Sequence, residues 1–180
     1  MTRSVLDSRK IAMIGLGDLG TAVASRLVDR GAQVVGVRRG AHAPPGVNLL
    51  RGDLTDPAAL AALPVDIEAM VVSITPDRYD LEGYRSTYLT AAQHLAEALA
   101  DRPVVRVLWV SSTSVYGTPN GTEADAEVDE SVPAVPESGR GEVLLQAERA
   151  LAAGGSPVTA VRLAGIYGPG RHALIERARK

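Results

Sequence analysis

The chain has 180 residues, 46% of them apolar and 22% charged, with a formal net charge of −2. That balance suits one soluble domain with a real core and excludes a basic nucleic-acid surface. With no cysteine there are no disulfides, thiolate nucleophiles or cysteine metal sites, and three scattered histidines form no metal-ligand spacing. The opening MTRSVLDSRK lacks an apolar signal core, and no apolar run approaches the ~18 residues of a membrane span. The expectation is a cytoplasmic protein without nucleic-acid or membrane partners.

In chain order, Ile11–Ile14 is a short apolar run, the pattern of a strand buried on both faces. A glycine turn follows, then TAVASRLVDRG, with Ala22, Val23, Leu27 and Val28 near helical spacing and Gly31 as a stop. AQVVGVRRG reads as a second strand and VNLLRGDLTD as a third strand with a turn. Thr55 or Asp56 caps a short helix that has Pro57 at its first position. EAMVVSIT is a fourth strand. Asp80–Ala100 is one helix, with Leu81, Tyr84, Tyr88, Ala91, Ala92, Leu95 and Leu99 on one face. PVVRVLWVSS is a fifth strand, followed by a long loop from Thr118 to Ser138. Its acidic part, Glu123–Glu137, reads as solvated surface. GEVLLQAERALAAGG is a helix closed by glycines, SPVTAVRLAG a sixth strand, and the tail a final helix. Strands alternating with helices predict a doubly wound parallel α/β sheet of about six strands in the order 3-2-1-4-5-6, with helices on both faces. Ligands of such sheets sit at the carboxyl ends of the strands.

Gly15-Leu16-Gly17-Asp18-Leu19-Gly20 follows a predicted strand and opens a predicted helix, the context in which G-x-G-x-x-G signals dinucleotide binding. Gly15 permits the tight turn, Gly17 lets backbone approach a pyrophosphate, and Gly20 lets helix and strand pack closely. Asp18 is the odd member, a carboxylate near a phosphate site, and is expected to cap the helix from the far side. At the end of the second strand, where an acid would accept a ribose 2′-OH, stand Arg38 and Arg39. They suit a 2′-phosphate and point to NADP, with NAD as the other form; the competing reading is two solvated surface arginines. Asp53 either accepts from the adenine amino group or is a turn residue.

The segments GDLTD, VLWVSSTSVYG, VDESVPAVPESG and VRLAGIYGPGRH, in that order, resemble the short-chain dehydrogenase/reductase superfamily, in its extended epimerase/dehydratase-like branch. They cover nearly the whole chain and look most like atypical members of that branch. The resemblance implies a Rossmann domain. It makes Ser112 the serine that holds a substrate oxygen, with Tyr116 facing the cleft. Ser111, Thr113 and Ser114 would tie down the strand end. Ile166, Tyr167, Gly168, Pro169 and Gly170 would form the loop beside the nicotinamide, and Arg162 would anchor the last strand. The cofactor contacts expected in all are Gly15, Gly17, Asp18, Leu19, Gly20, Arg38, Arg39, Asp53, Leu54, Ser73 and Ile166.

The superfamily's chemistry uses a tyrosine and a lysine four residues apart on the helix after the fifth strand. Here those positions read Ser138 and Glu142. The two lysines are Lys10 and Lys180, and none of the five tyrosines falls on that helix. Proton transfer would fall to Tyr116, His172 or Glu142, with Arg140 or Arg171 supplying positive charge. The substrate domain of extended members is also absent, so residues 1–180 read as a single NAD(P)-binding domain, either minimal or truncated. Two functions follow. One is an atypical NAD(P)-dependent oxidoreductase or epimerase acting on a small molecule, such as a sugar nucleotide or another carbonyl or hydroxyl compound. The other is a non-catalytic dinucleotide-binding or regulatory module. A hydroxyacid-type dehydrogenase would fit the glycine turn alone, but SSTSVYG and GIYGPG argue against it. A homo-oligomer is compatible with either.

Overall fold

The structure is a computed structural model and describes residues 6–102, 106–117, 128–168 and 171–179. Six strands form one parallel sheet: β1 (Lys10–Ile14), β2 (Gln33–Arg38), β3 (Val47–Arg51), β4 (Ala69–Val72), β5 (Arg106–Ser112) and β6 (Val158–Leu163). Their order is β3-β2-β1-β4-β5-β6, as the alternation of elements predicts. The order reverses between β1 and β4, where crossovers leave in opposite directions and open a crevice.

Helix α1 (Asp18–Asp29) covers one face, packing Ala24 and Leu27, together with Leu16 of the preceding turn, on Ile11, Met13 and Val34. The other face carries α2 (Pro57–Ala61), α4 (Thr90–Ala100) and α5 (Gly139–Ala152) over Ile14, Val35, Met70, Val72 and Trp109. Trp109, fully buried, fills the space that a core without phenylalanine leaves between β5 and these helices. Asp56 is the cap of α2, its carboxylate accepting from the Ala58 N–H, with Pro57 at the first position. A short α6 (Ala173–Ala178) ends the described chain. The expected acidic loop before Val128 lies outside the described residues.

One element departs from its sequence pattern. The helix expected over Asp80–Ala100 is α3 (Leu81–Tyr84) and α4 joined by a π-helical turn, Arg85–Leu89. The extra residue changes the angular register, so Leu81 is exposed while Ala91, Ala92, Leu95 and Leu99 are buried. The turn also brings Ser86, Thr87 and Thr90 toward the carboxyl end of the sheet.

Among the described glycines, the closest backbone approach joins α1 to the turn after β1. A Cβ added at Gly20 would lie 1.9 Å from the Gly15 carbonyl oxygen, a backbone atom that has no room to move. Gly20→Ala is therefore expected to destabilise the fold by about 3 kcal/mol, read as a lowered urea midpoint with an unchanged slope. A midpoint within error of the parent would show that α1 can ride outward at no cost.

Candidate active site

The residues after β1 leave the sheet through Gly15, whose φ of 87° is left-handed and whose added Cβ would lie 2.1 Å from the Ser73 carbonyl oxygen. Only glycine satisfies both conditions. The Gly15 N–H donates to the Val37 carbonyl and the Ser73 N–H to that of Ile14, so the ends of β1, β2 and β4 are tied together at this turn. Gly17 then caps α1 in extended conformation without a side-chain partner. A Cβ at Gly17 would meet nothing within 4 Å. The protein itself thus imposes glycine at positions 15 and 20, whereas at 17 the space stays open beside the first-turn N–H groups of α1. Those groups have no intrahelical acceptor and carry the positive end of the helix dipole.

This turn opens into a cleft of about 710 Å³ over the ends of β1, β2, β3 and β4. Seven of the cofactor residues read from the sequence line it: Gly15, Gly17, Arg38, Arg39, Asp53, Leu54 and Ser73. Of the remaining expected contacts, Asp18, Leu19 and Gly20 form the first turn of α1 and Ile166 lies in the loop after β6; none of the four lines the cleft. Pro169 and Gly170 lie outside the described residues. The sequence reading missed Asp77 and the hydroxyls Ser86, Thr87 and Thr90, which also line it. No periodicity announces a π turn, so these hydroxyls had no signal.

The two arginines differ. Arg39 donates to both oxygens of Asp77, one at 2.6 Å, and its Nε lies 3.7 Å from Asp53. The hydrogen bond with Arg39 holds the Asp77 carboxyl below its usual range and raises the guanidinium. Arg38 donates only to the His42 carbonyl, at 2.9 Å, and has no carboxylate partner among the described residues. Asp53 acts as a turn residue, its Oδ1 accepting from the Thr55 N–H and hydroxyl, while Oδ2 faces Arg39. Asp18 does not cap α1; it pairs with Arg171 at 3.3 Å.

At the end of β5 the chain turns through a 3-10 segment, Thr113–Val115. The hydroxyl that ties this end down is that of Ser112, which accepts from the Ser114 N–H at 3.2 Å. Ser111, expected to do so, is buried and its Oγ has no hydrogen-bond partner among the described residues. The Tyr116 hydroxyl accepts from Arg162 at 2.8 Å, and that guanidinium also lies 4.8 Å from the ring centre. Arg162 makes a forked pair with Glu148 of α5, at 2.7 Å for its shortest bond. This pairing, with the Tyr116 hydroxyl adding to it, raises the Arg162 pKa. Arg162 therefore supplies the positive charge at Tyr116. Arg140 instead donates to the Tyr79 carbonyl, and Arg171 pairs with Asp18. Glu148 gave a signal that was not used. It falls on the buried stripe of α5 between Leu144 and Leu151, where a carboxylate needs a cation. Neither Ser112 nor Tyr116 lines the 710 Å³ cleft; they stand at the next strand end along the sheet.

The positions matched to the tyrosine and lysine have other work. Ser138 caps α5, its Oγ accepting from the Gly141 N–H at 3.0 Å, and Glu142 accepts from Gln146. A Cβ at Gly141 would lie 2.3 Å from the Ser114 carbonyl oxygen, so the start of α5 presses on the 3-10 turn backbone to backbone. The Tyr84 and Tyr88 rings lie nearby, tilted to one another with centres 5.2 Å apart, and burial pushes the Tyr88 phenol up to about 12. His172 stands exposed at the start of α6 and makes no capping bond.

With this geometry in place, comparison with known proteins gives a family. The profile of the NAD dependent epimerase/dehydratase family matches residues 11–179. Protein YeeZ of Escherichia coli K12 is 37% identical over 175 residues, covering 91% of this chain and 61% of its own. Among solved structures, a Methylobacillus flagellatus protein assigned as a NAD-dependent epimerase/dehydratase superposes with a TM-score of 0.74 at 34% identity, over 97% of this chain and 60% of that one. MoeE5, solved with UDP-glucose and NAD, gives 0.74 at 28% identity over 94% of this chain and 59% of its own. The chain thus spans about 60% of the length of these relatives.

Gly17 separates fold from function. Gly17→Ala is expected to change stability by less than about 1 kcal/mol, the size of a weakened helix cap. The same change should lower dinucleotide affinity at least about tenfold, because the new methyl occupies the space a phosphate needs. Denaturation and calorimetry on one sample check both halves. A variant that binds as well as the parent would remove Gly17 from the site.

Proposed function

The chain belongs to the NAD dependent epimerase/dehydratase family, and on that premise we propose that its cleft binds a nicotinamide dinucleotide, with NADP preferred and NAD accommodated. The observation that carries this reading is the open space at Gly17, set against α1's free N–H groups at the mouth of a 710 Å³ cleft. The pyrophosphate is assigned to Gly17 and the first turn of α1, and the adenosine half to the walls formed by Val37, Arg38 and Asp53. Arg38 is assigned to the 2′-phosphate, because Arg39 is already committed to Asp77.

When bound, a nicotinamide accepts or donates hydride. The chain's own residues then have to orient the substrate and handle its proton. Ser112 accepts from backbone and keeps its O–H free to donate to a substrate oxygen. Tyr116, whose hydroxyl is held by Arg162 at the end of β5, is the group assigned to give or take a hydroxyl proton. This makes the chain the cofactor-binding part of an atypical oxidoreductase or epimerase that works without a Tyr-Lys pair. A sugar nucleotide is the substrate class that the UDP-glucose complex of MoeE5 supports.

One observation favours a second reading, a dinucleotide-binding module without turnover: both Ser138 and Glu142 are engaged by α5 itself. The two readings separate on turnover of NADPH or NADP with a panel of sugar nucleotides and carbonyl compounds. For the shared claim, calorimetry should show NADPH binding well below about 1 mM. Arg38→Ala is expected to weaken NADPH about tenfold or more and NADH less than about twofold. Equal losses for both would reject the 2′-phosphate assignment.

A further inference from the structure

Asp18 is the first residue of α1, directly after Gly17, and its carboxylate is 82% exposed. Alone, it would place a negative charge beside the position assigned to the pyrophosphate. The structure supplies a counter-charge from a distant part of the chain. After β6 the loop folds back, and Gly168 and Arg171 exchange both backbone hydrogen bonds, at 3.2 and 2.9 Å. That exchange fixes the Arg171 backbone, and its Nη2 reaches Asp18 Oδ2 at 3.3 Å.

The pair is exposed on both sides, with Arg171 44% accessible, so water and salt weaken it. A pyrophosphate at the helix start offers more charge than one carboxylate and suits the guanidinium fork. The helix dipole adds to that preference. We propose that Arg171 is a pyrophosphate-binding residue and that Asp18 holds it in place until the dinucleotide takes it over. The arginine then contacts the cofactor directly. The proposal rests on the dinucleotide reading of the cleft.

The test is calorimetry with NADH and NADPH on the 180-residue chain and three variants: Arg171→Ala, Asp18→Asn and the double substitution. Arg171→Ala is expected to weaken NADH and NADPH by the same factor, about tenfold. Asp18→Asn is expected to tighten both, since it frees the arginine and removes the repulsive charge. In the Asp18→Asn background the loss from Arg171→Ala should persist. A loss that vanishes there would overturn the proposal by showing that Arg171 only masks Asp18. Unchanged NADH affinity in Arg171→Ala would also overturn it, as would a loss confined to NADPH. A parent chain that binds neither cofactor would instead remove the dinucleotide reading beneath it.

Discussion

The structure turns on one close approach. At the turn after β1, Gly15 sits against the Ser73 carbonyl and Gly20 against Gly15, with no room for a side chain at either position. This contact pulls α1 onto the sheet at the point where β1, β2 and β4 end together. The helix start then faces the crevice created by the reversal of strand order. Cleft, helix dipole and open space at Gly17 all follow from it.

Around that turn, charge is arranged in pairs that span separate strand connections. Arg39 from the end of β2 meets Asp77 from beyond β4, and Arg171 from beyond β6 meets Asp18 at the start of α1. Deeper in, Arg162 of β6 meets Glu148 of α5 and fixes Tyr116. The outer pairs are solvent-exposed, so water and salt weaken them. The inner pair is largely shielded, so losing either partner would strand a charge, and it ties β6 to α5 while Arg162 also holds Tyr116. Only Arg38 faces the cleft without a carboxylate partner among the described residues.

Much of this was legible in the sequence. Strands with continuous apolar runs, helices at 3.6 spacing and the glycine turn in its strand–helix context lead to the observed strand order. A cap at Thr55 or Asp56 before Pro57 was equally visible, because local capping chemistry depends on neighbours a few residues away, and the structure selects Asp56. What escaped depends on contacts between distant segments. The π turn at Arg85–Leu89 packs against α5, and no periodic signal in the sequence marks it. The Arg171–Asp18 pair joins opposite ends of the chain, so the sequence led to Asp18 being read as a helix cap. Ser112 rather than Ser111 meets a backbone N–H because the 3-10 turn, not the strand, decides which hydroxyl does so.

The account stands on a dinucleotide lying with its phosphates on the start of α1. Amide proton–nitrogen shifts of the chain titrated with NADP measure this directly. The largest changes should fall on Gly15 to Gly20 and on Arg38 to Gly40, with smaller ones at Ser73 and Thr87. Shifts confined to another surface, such as the apolar groove of Leu63, Val65 and Ala98 between α2 and α4, with the glycine turn unmoved, would contradict it.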